Sequence, residues 1–223
     1  MRASASDSAP QDREAAETVA FVMGLRARGV RDTALLSALE RTSREHFAPS
    51  RFSDLARRDV ALPLPCGQTM TAPGTVAAML VALEIRPGQR VLEVGTGSGY
   101  VTALIVRLGA EVVSLERYRT LAETAALHLA AAGAGDARLI TGDGLVEAPE
   151  GPFDRVLVNG ATRAVPRTLL ARLAPGGRLV GALAGEGAPR LVTARRDEAG
   201  APVEDLGGPV RLAPLATGRA AIL

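Results

Sequence analysis

The 223-residue sequence is poor in several features that would point to particular functions. It holds one cysteine, Cys66, so no internal disulfide can form. Aromatic residues are 3 % and tryptophan is absent, so Ala, Val and Leu must fill the interior. No apolar run approaches the ~20 residues of a membrane-spanning helix. No Lys/Arg block has the length of a nucleic-acid-binding arm, and the net charge is only +2. The opening "MRASASDSAPQDREAAE" lacks the apolar centre of a signal peptide. These absences describe a cytoplasmic chain, expected to be monomeric and to work without metal, membrane or nucleic acid.

What is present suits a compact α/β protein. Apolar residues reach 47 %, enough at this length for one sizeable core. Residues 1–14 are rich in Ser, Ala and Asp and read as a disordered tail. Residues 15–75 read as helices and a loop. "AETVAFVMGLRARG" has helical spacing and stops at Gly29, and Asp32 is placed to cap a helix through "DTALLSALERTSREHF". Pro49, Pro63 and Pro65 mark the loop, and Pro73 opens the helix "PGTVAAMLVAL". Residues 76–223 then form the main domain. The strands "RVLEVG", "EVVSLE", "ARLITGD", "FDRVLVNG" and "RLVGALA" are separated by helical runs near 100–108, 119–133 and "VPRTLLARLAPGG". This alternation predicts a doubly wound, mostly parallel sheet. Two weaker strands, "RLVTARR" and "GGPVRLAPL", have no helix between them and are expected as an antiparallel edge.

The segment "VLEVGTGSGY" places Gly95, Gly97 and Gly99 between a strand and a helix. In a doubly wound sheet, ligands bind beyond the carboxyl ends of the strands, where glycines let the backbone approach closely. The third glycine comes one residue too early for the dinucleotide fingerprint. Glu93 precedes the turn by two residues, which is awkward for a pyrophosphate but suits a cationic ligand. S-adenosylmethionine carries a sulfonium and an ammonium and no phosphate. Glu116 ends the second strand, where a carboxylate meets ribose hydroxyls. Asp143 ends the third, where it can accept from an adenine amine. Each acid taken alone could simply cap a helix or solvate a loop.

With these residues the chain resembles the class I S-adenosylmethionine-dependent methyltransferases. It is most similar to the protein-L-isoaspartate O-methyltransferase family. The likeness runs from about residue 31 to 215 through "RTSREHFAP", "ALPLPCGQTMTAPGTVAAML", "VLEVGTGSGYVTALI", "ITGDG", "FDRVLVNGA" and "VRLAPL". It implies a Rossmann-like fold and methylation of the α-carboxylate of L-isoaspartyl residues in proteins or peptides. The ester then collapses to a succinimide, which hydrolyses partly to normal aspartate. The resemblance implies that Glu93, Gly95, Gly97, Glu116 and Asp143 hold the cofactor, and their neighbours Thr96, Ser98, Gly99, Arg117 and Gly144 are expected to join them. On the substrate side the resemblance places Thr71, where the family usually has Ser, against the reacting carboxylate, and Gln68, Thr69 and Asn159 are expected beside it. On the residues alone, Thr71 could equally cap the helix after Pro73.

Two departures stand out. Gly74 follows Pro73 where the family commonly has an aromatic or His, and "NGAT" follows the fourth strand where Asn is unusual. Methylation of a small molecule or RNA, cofactor binding without turnover, and nicotinamide-dependent dehydrogenation are the rival readings. The first lacks the Asn/Asp-Pro-Pro-aromatic signature of base methylation, and the last is disfavoured by the glycine spacing. His46 and His128 are expected on helices away from the strand ends, with His128 on a helix surface. Cys66 reads as a small apolar wall.

Overall fold

The computed structural model describes residues 8–218 and Ala220, with side chains from residue 16 onward. Helix α1 spans Ser8–Ala27. The expected tail is therefore corrected: residues 8–14 are helical, and residues 1–7 lie outside the described residues. Pro10 falls in the first turn of α1, where its missing N–H costs nothing.

Helix α2 spans Thr33–Arg41, and Asp32 caps it by accepting from the Leu35 N–H at 3.0 Å. It ends six residues before the expected boundary at Phe47. A separate 3-10 turn, Arg44–Phe47, follows and carries Arg44 inward. The loop beyond contains a small ladder of β1 (Leu62–Pro63) and β2 (Thr69–Met70), paired antiparallel. Helix α3 (Pro73–Leu83) starts with Pro73 in its first turn, as expected.

The main sheet follows the expected alternation. β3 is Arg90–Val94, β4 Glu111–Glu116, β5 Arg138–Thr141, β6 Phe153–Thr162 and β7 Leu173–Leu183. Helices α4 (Tyr100–Arg107), α5 (Arg119–Ala131) and the short α6 (Arg167–Leu170) connect them. β8 (Arg190–Arg196) and β9 (Pro202–Pro209) complete the order β5-β4-β3-β6-β7-β8-β9. The pairs from β5 to β7 are parallel, and the last two are antiparallel. The fold is thus an α/β, Rossmann-like mixed sheet. β3 and β6 are buried on both faces, which explains their near-continuous Val and Leu. The N-terminal leucines Leu25, Leu35, Leu36 and Leu39 share one apolar cluster with α3, α4 and the β6–β7 face.

Two further elements differ from expectation. The helix expected in "VPRTLLARLAPGG" lasts one turn, because Leu173 already pairs with Phe153 and Pro175 and Gly176 follow. Gly176 takes φ +72°, which a continuing helix does not allow. The last strand is Pro202–Pro209, so "VRLAPL" lies beyond it. That segment leaves the sheet and bonds instead to Ala161 at the end of β6, through Ala161 N to Ala213 O at 2.8 Å and Leu215 N to Ala161 O at 2.9 Å. Among the described residues, no helix is long and apolar enough to cross a membrane, and no His/Cys/Asp/Glu group could hold a metal.

Candidate active site

Strand order reverses at β3, between β4 and β6. Beyond the carboxyl ends of these strands lies a cavity, as this topology dictates. Its lining combines the turn Gly95–Ser98 with Glu116, Arg117, Asp143 and Gly144. Gln68, Thr69, Thr71 and Asn159 line it as well. Gly95 takes φ +96°, and a Cβ there would stand 3.2 Å from the Asn159 carbonyl oxygen. The backbone can turn this closely against β6 only without a side chain.

Two buried carboxylates face this space. Glu116 accepts from the Gly97 N–H at 2.8 Å and the Tyr118 N–H at 3.0 Å, so it holds the turn in register with its own strand end. Asp143 accepts from the Leu145 N–H at 3.0 Å and from the Gly218 N–H of the C-terminal segment. That segment also lines the cavity from Ala213 to Ala216. The alternation in "VRLAPL" predicts an edge strand rather than a wall of the site. The Arg117 guanidinium stacks 5.0 Å from the centre of the Tyr118 ring.

Across the cavity, the Thr71 hydroxyl donates to Asn159 Oδ1 at 3.2 Å, and Asn159 Nδ2 donates to the Gly95 carbonyl at 3.1 Å. Asn159 therefore ties the "GQTMT" segment to the glycine turn. Thr71 does not cap α3: the cap residue is Ala72, without a side-chain bond. Gln68 donates to the Cys66 carbonyl at 3.2 Å, while Cys66 itself packs against the apolar core.

Three expected positions are corrected. Glu93 does not line the cavity. It is fully buried beneath the turn and accepts from Thr102 of α4 at 2.5 Å and Ser114 of β4 at 2.7 Å. Thr96 stays in the cavity lining, with its hydroxyl 2.6 Å from Ser114 Oγ of the same cluster. Gly99 faces α5, where a Cβ would stand 3.3 Å from Ala125 and Leu129, so it serves helix packing. His128 is no surface residue: it is half-buried, with Nδ1 3.0 Å from the Ser98 carbonyl and its ring against Phe47.

The protein-L-isoaspartate(D-aspartate) O-methyltransferase family model matches residues 16–220. The chain belongs to this family. It is 42 % identical over 217 residues to the protein-L-isoaspartate O-methyltransferase of Azorhizobium caulinodans, covering 95 % of this chain and 98 % of that one. It is likewise 42 % identical to that of Xanthobacter autotrophicus, covering 94 % and 96 %. A solved protein-L-isoaspartate O-methyltransferase shares the fold at TM-score 0.79 and 23 % identity, covering 91 % of this chain and 67 % of that one. A Plasmodium falciparum structure in complex with S-adenosyl-L-homocysteine, described as a protein of the same kind, does so at 0.77 and 20 %, covering 88 % and 97 %.

Membership in the isoaspartate methyltransferase family makes Gly74 informative. Its N–H donates to Asp59 Oδ1 at 2.6 Å, and a Cβ would stand 2.8 Å from Asp59 Oδ2. Asp59 thus caps the first turn of α3 from outside, in the space that the family's usual bulky residue would need. Arg28 pairs with the same carboxylate.

Glu93 leads to a pH prediction. Burial pushes its carboxyl from 4.5 up to about 7, against the hydrogen bonds from Thr102 and Ser114. Its Oε1 has no hydrogen-bond partner among the described residues. The folded pKa exceeds the unfolded one, so the fold favours the protonated form. Stability from this group is full below about pH 4.5 and is lost as pH rises through 7. The loss is on the order of 3 kcal/mol. Glu93→Gln should flatten the dependence of melting temperature on pH across this window. A mutant curve parallel to wild type would contradict the assignment.

Proposed function

We propose that this protein transfers a methyl group from S-adenosylmethionine to the α-carboxylate of L-isoaspartyl residues in damaged proteins or peptides. The observation that carries the reading is the Thr71–Asn159–Gly95 bridge. It brings the segment specific to the family against the glycine turn, across one cavity.

The residues present fit the cofactor. Glu116 and Asp143 offer buried acceptors to hydroxyl and amine groups, and glycine backbone leaves room for close approach. When bound, S-adenosylmethionine supplies a methyl on a sulfonium, which an ionised carboxylate can take without loss of a proton. A carboxylate is already ionised at pH 7. The protein therefore needs no general base. Its work is alignment, which can supply roughly 7–11 kcal/mol. In this reading Thr71 swings its hydroxyl from Asn159 to the acceptor carboxylate, and Asn159 keeps the turn and the substrate segment at a fixed separation. The apolar neighbours Leu115, Leu145 and Leu215 exclude water, which strengthens each of these contacts.

The product distinguishes this reaction from methylation of nitrogen or hydroxyl groups. A carboxyl methyl ester made from radiolabelled cofactor releases volatile methanol in mild alkali. Alkali-stable label would sink the proposal. Cofactor choice has its own check. S-adenosylhomocysteine at about 100 times its dissociation constant should raise stability by about 2.7 kcal/mol. NAD should leave the melting temperature unchanged, and stabilisation by NAD instead would favour a dehydrogenase.

A further inference from the structure

Arg44 is only 3 % exposed, yet it carries a guanidinium. Its Nη1 donates to the Ala56 carbonyl at 2.9 Å. Its Nη2 lies within bonding distance of the carbonyls of Val60 at 3.0 Å, Thr71 at 3.2 Å and Met70 at 3.3 Å. All four acceptors are neutral backbone groups. Burial lowers the Arg44 pKa to about 10, which leaves it protonated at neutral pH. A buried cation whose hydrogen bonds go to carbonyls is costly for the fold, although the nearby Asp59 carboxylate favours its charge. A planar fork with five donors is the side chain able to reach carbonyls on several segments at once.

Two of the four carbonyls belong to Met70 and Thr71. Met70 ends the two-residue strand β2, which among the described residues pairs with the equally short β1 alone. A ladder of two residues does not fix its own position. Thr71 belongs to no helix or strand. Its placement therefore depends on what holds its backbone. With its carbonyl drawn toward Arg44, its hydroxyl reaches Asn159 on the cavity side at 3.2 Å.

We propose that Arg44 is a positioning residue for acceptor binding: its guanidinium clamps the Met70 and Thr71 carbonyls and thereby sets the Thr71 hydroxyl at the cavity. The proposal rests on the reading above, in which Thr71 receives the substrate carboxylate. It assigns Arg44 no contact with cofactor or substrate.

Arg44→Lys keeps the charge and loses the fork, and Arg44→Ala opens a space that free guanidinium can enter. In Arg44→Lys, the KM for an isoaspartyl peptide should rise about tenfold or more, with cofactor affinity within about twofold of wild type. Millimolar guanidinium should restore part of the kcat/KM lost in Arg44→Ala and do nothing for wild type. Hydrogen exchange reads the clamp without any turnover. Amides of residues 68–72 should exchange about tenfold faster in Arg44→Lys, with those of β3 unchanged. Unchanged exchange at 68–72, or faster exchange throughout together with lost cofactor binding, would overturn the clamp. Wild-type protein inert toward the isoaspartyl peptide would sink the substrate reading instead, and the exchange result alone would then decide the role of Arg44.

Discussion

Glu116→Ala is expected to weaken S-adenosylmethionine binding at least about tenfold, because charge-assisted bonds to ribose hydroxyls contribute roughly 1.5–3 kcal/mol each. The carboxylate sits at the end of β4, faces the cavity and is 5 % exposed. It also accepts from the Gly97 and Tyr118 amides, so its removal loosens the turn as well. Glu116→Gln separates the two effects: an amide oxygen can still accept from one backbone N–H, but the charge is gone. Affinity should fall for Gln and further for Ala, with little change in melting temperature for Gln. Unchanged affinity for Ala by calorimetry would place the ligand elsewhere.

Thr71→Val should act on the other side of the cavity. Valine keeps the shape and removes the donor. One lost hydrogen bond to a carboxylate costs roughly 1.5–3 kcal/mol, or about ten- to a hundredfold in rate. Cofactor affinity should hardly move, because Thr71 lies outside the glycine turn. The alternative role as a helix cap predicts a stability loss of about 1 kcal/mol with normal turnover. The geometry opposes it, since Ala72 caps α3 and the Thr71 hydroxyl goes to Asn159. Normal turnover with a lowered melting point would still remove Thr71 from the reaction.

The strands of the sheet were legible because β3, β4 and β6 announce themselves as apolar, β-branched runs ended by glycine or acid. The turn at Gly95 and the strand-end acids Glu116 and Asp143 followed from that alternation. Glu93 points away from the cavity that its position before the turn suggests. It lies inside β3, opposite Ser114 in the parallel register, so its side chain shares a layer with Ser114 and α4. Spacing along the chain does not reveal which face a strand residue takes until the neighbours are known. The C-terminal wall was hidden for another reason. "VRLAPL" alternates like an edge strand, and only the earlier pairing of residues 202–209 with β8 frees it to cross to Ala161. Arg44 lies within the quoted "RTSREHFAP", but a buried arginine whose hydrogen bonds go to carbonyls leaves no charge pattern in the sequence that shows its role.

The most direct test compares two synthetic peptides that differ only at one residue, L-isoaspartyl in one and normal L-aspartyl in the other. Initial rates of methyl transfer from S-adenosylmethionine are measured on wild-type protein at equal peptide concentration. The account predicts rapid carboxyl methylation of the isoaspartyl peptide and a rate at background for its twin. Equal rates on both peptides, or none on either with cofactor bound, would contradict it.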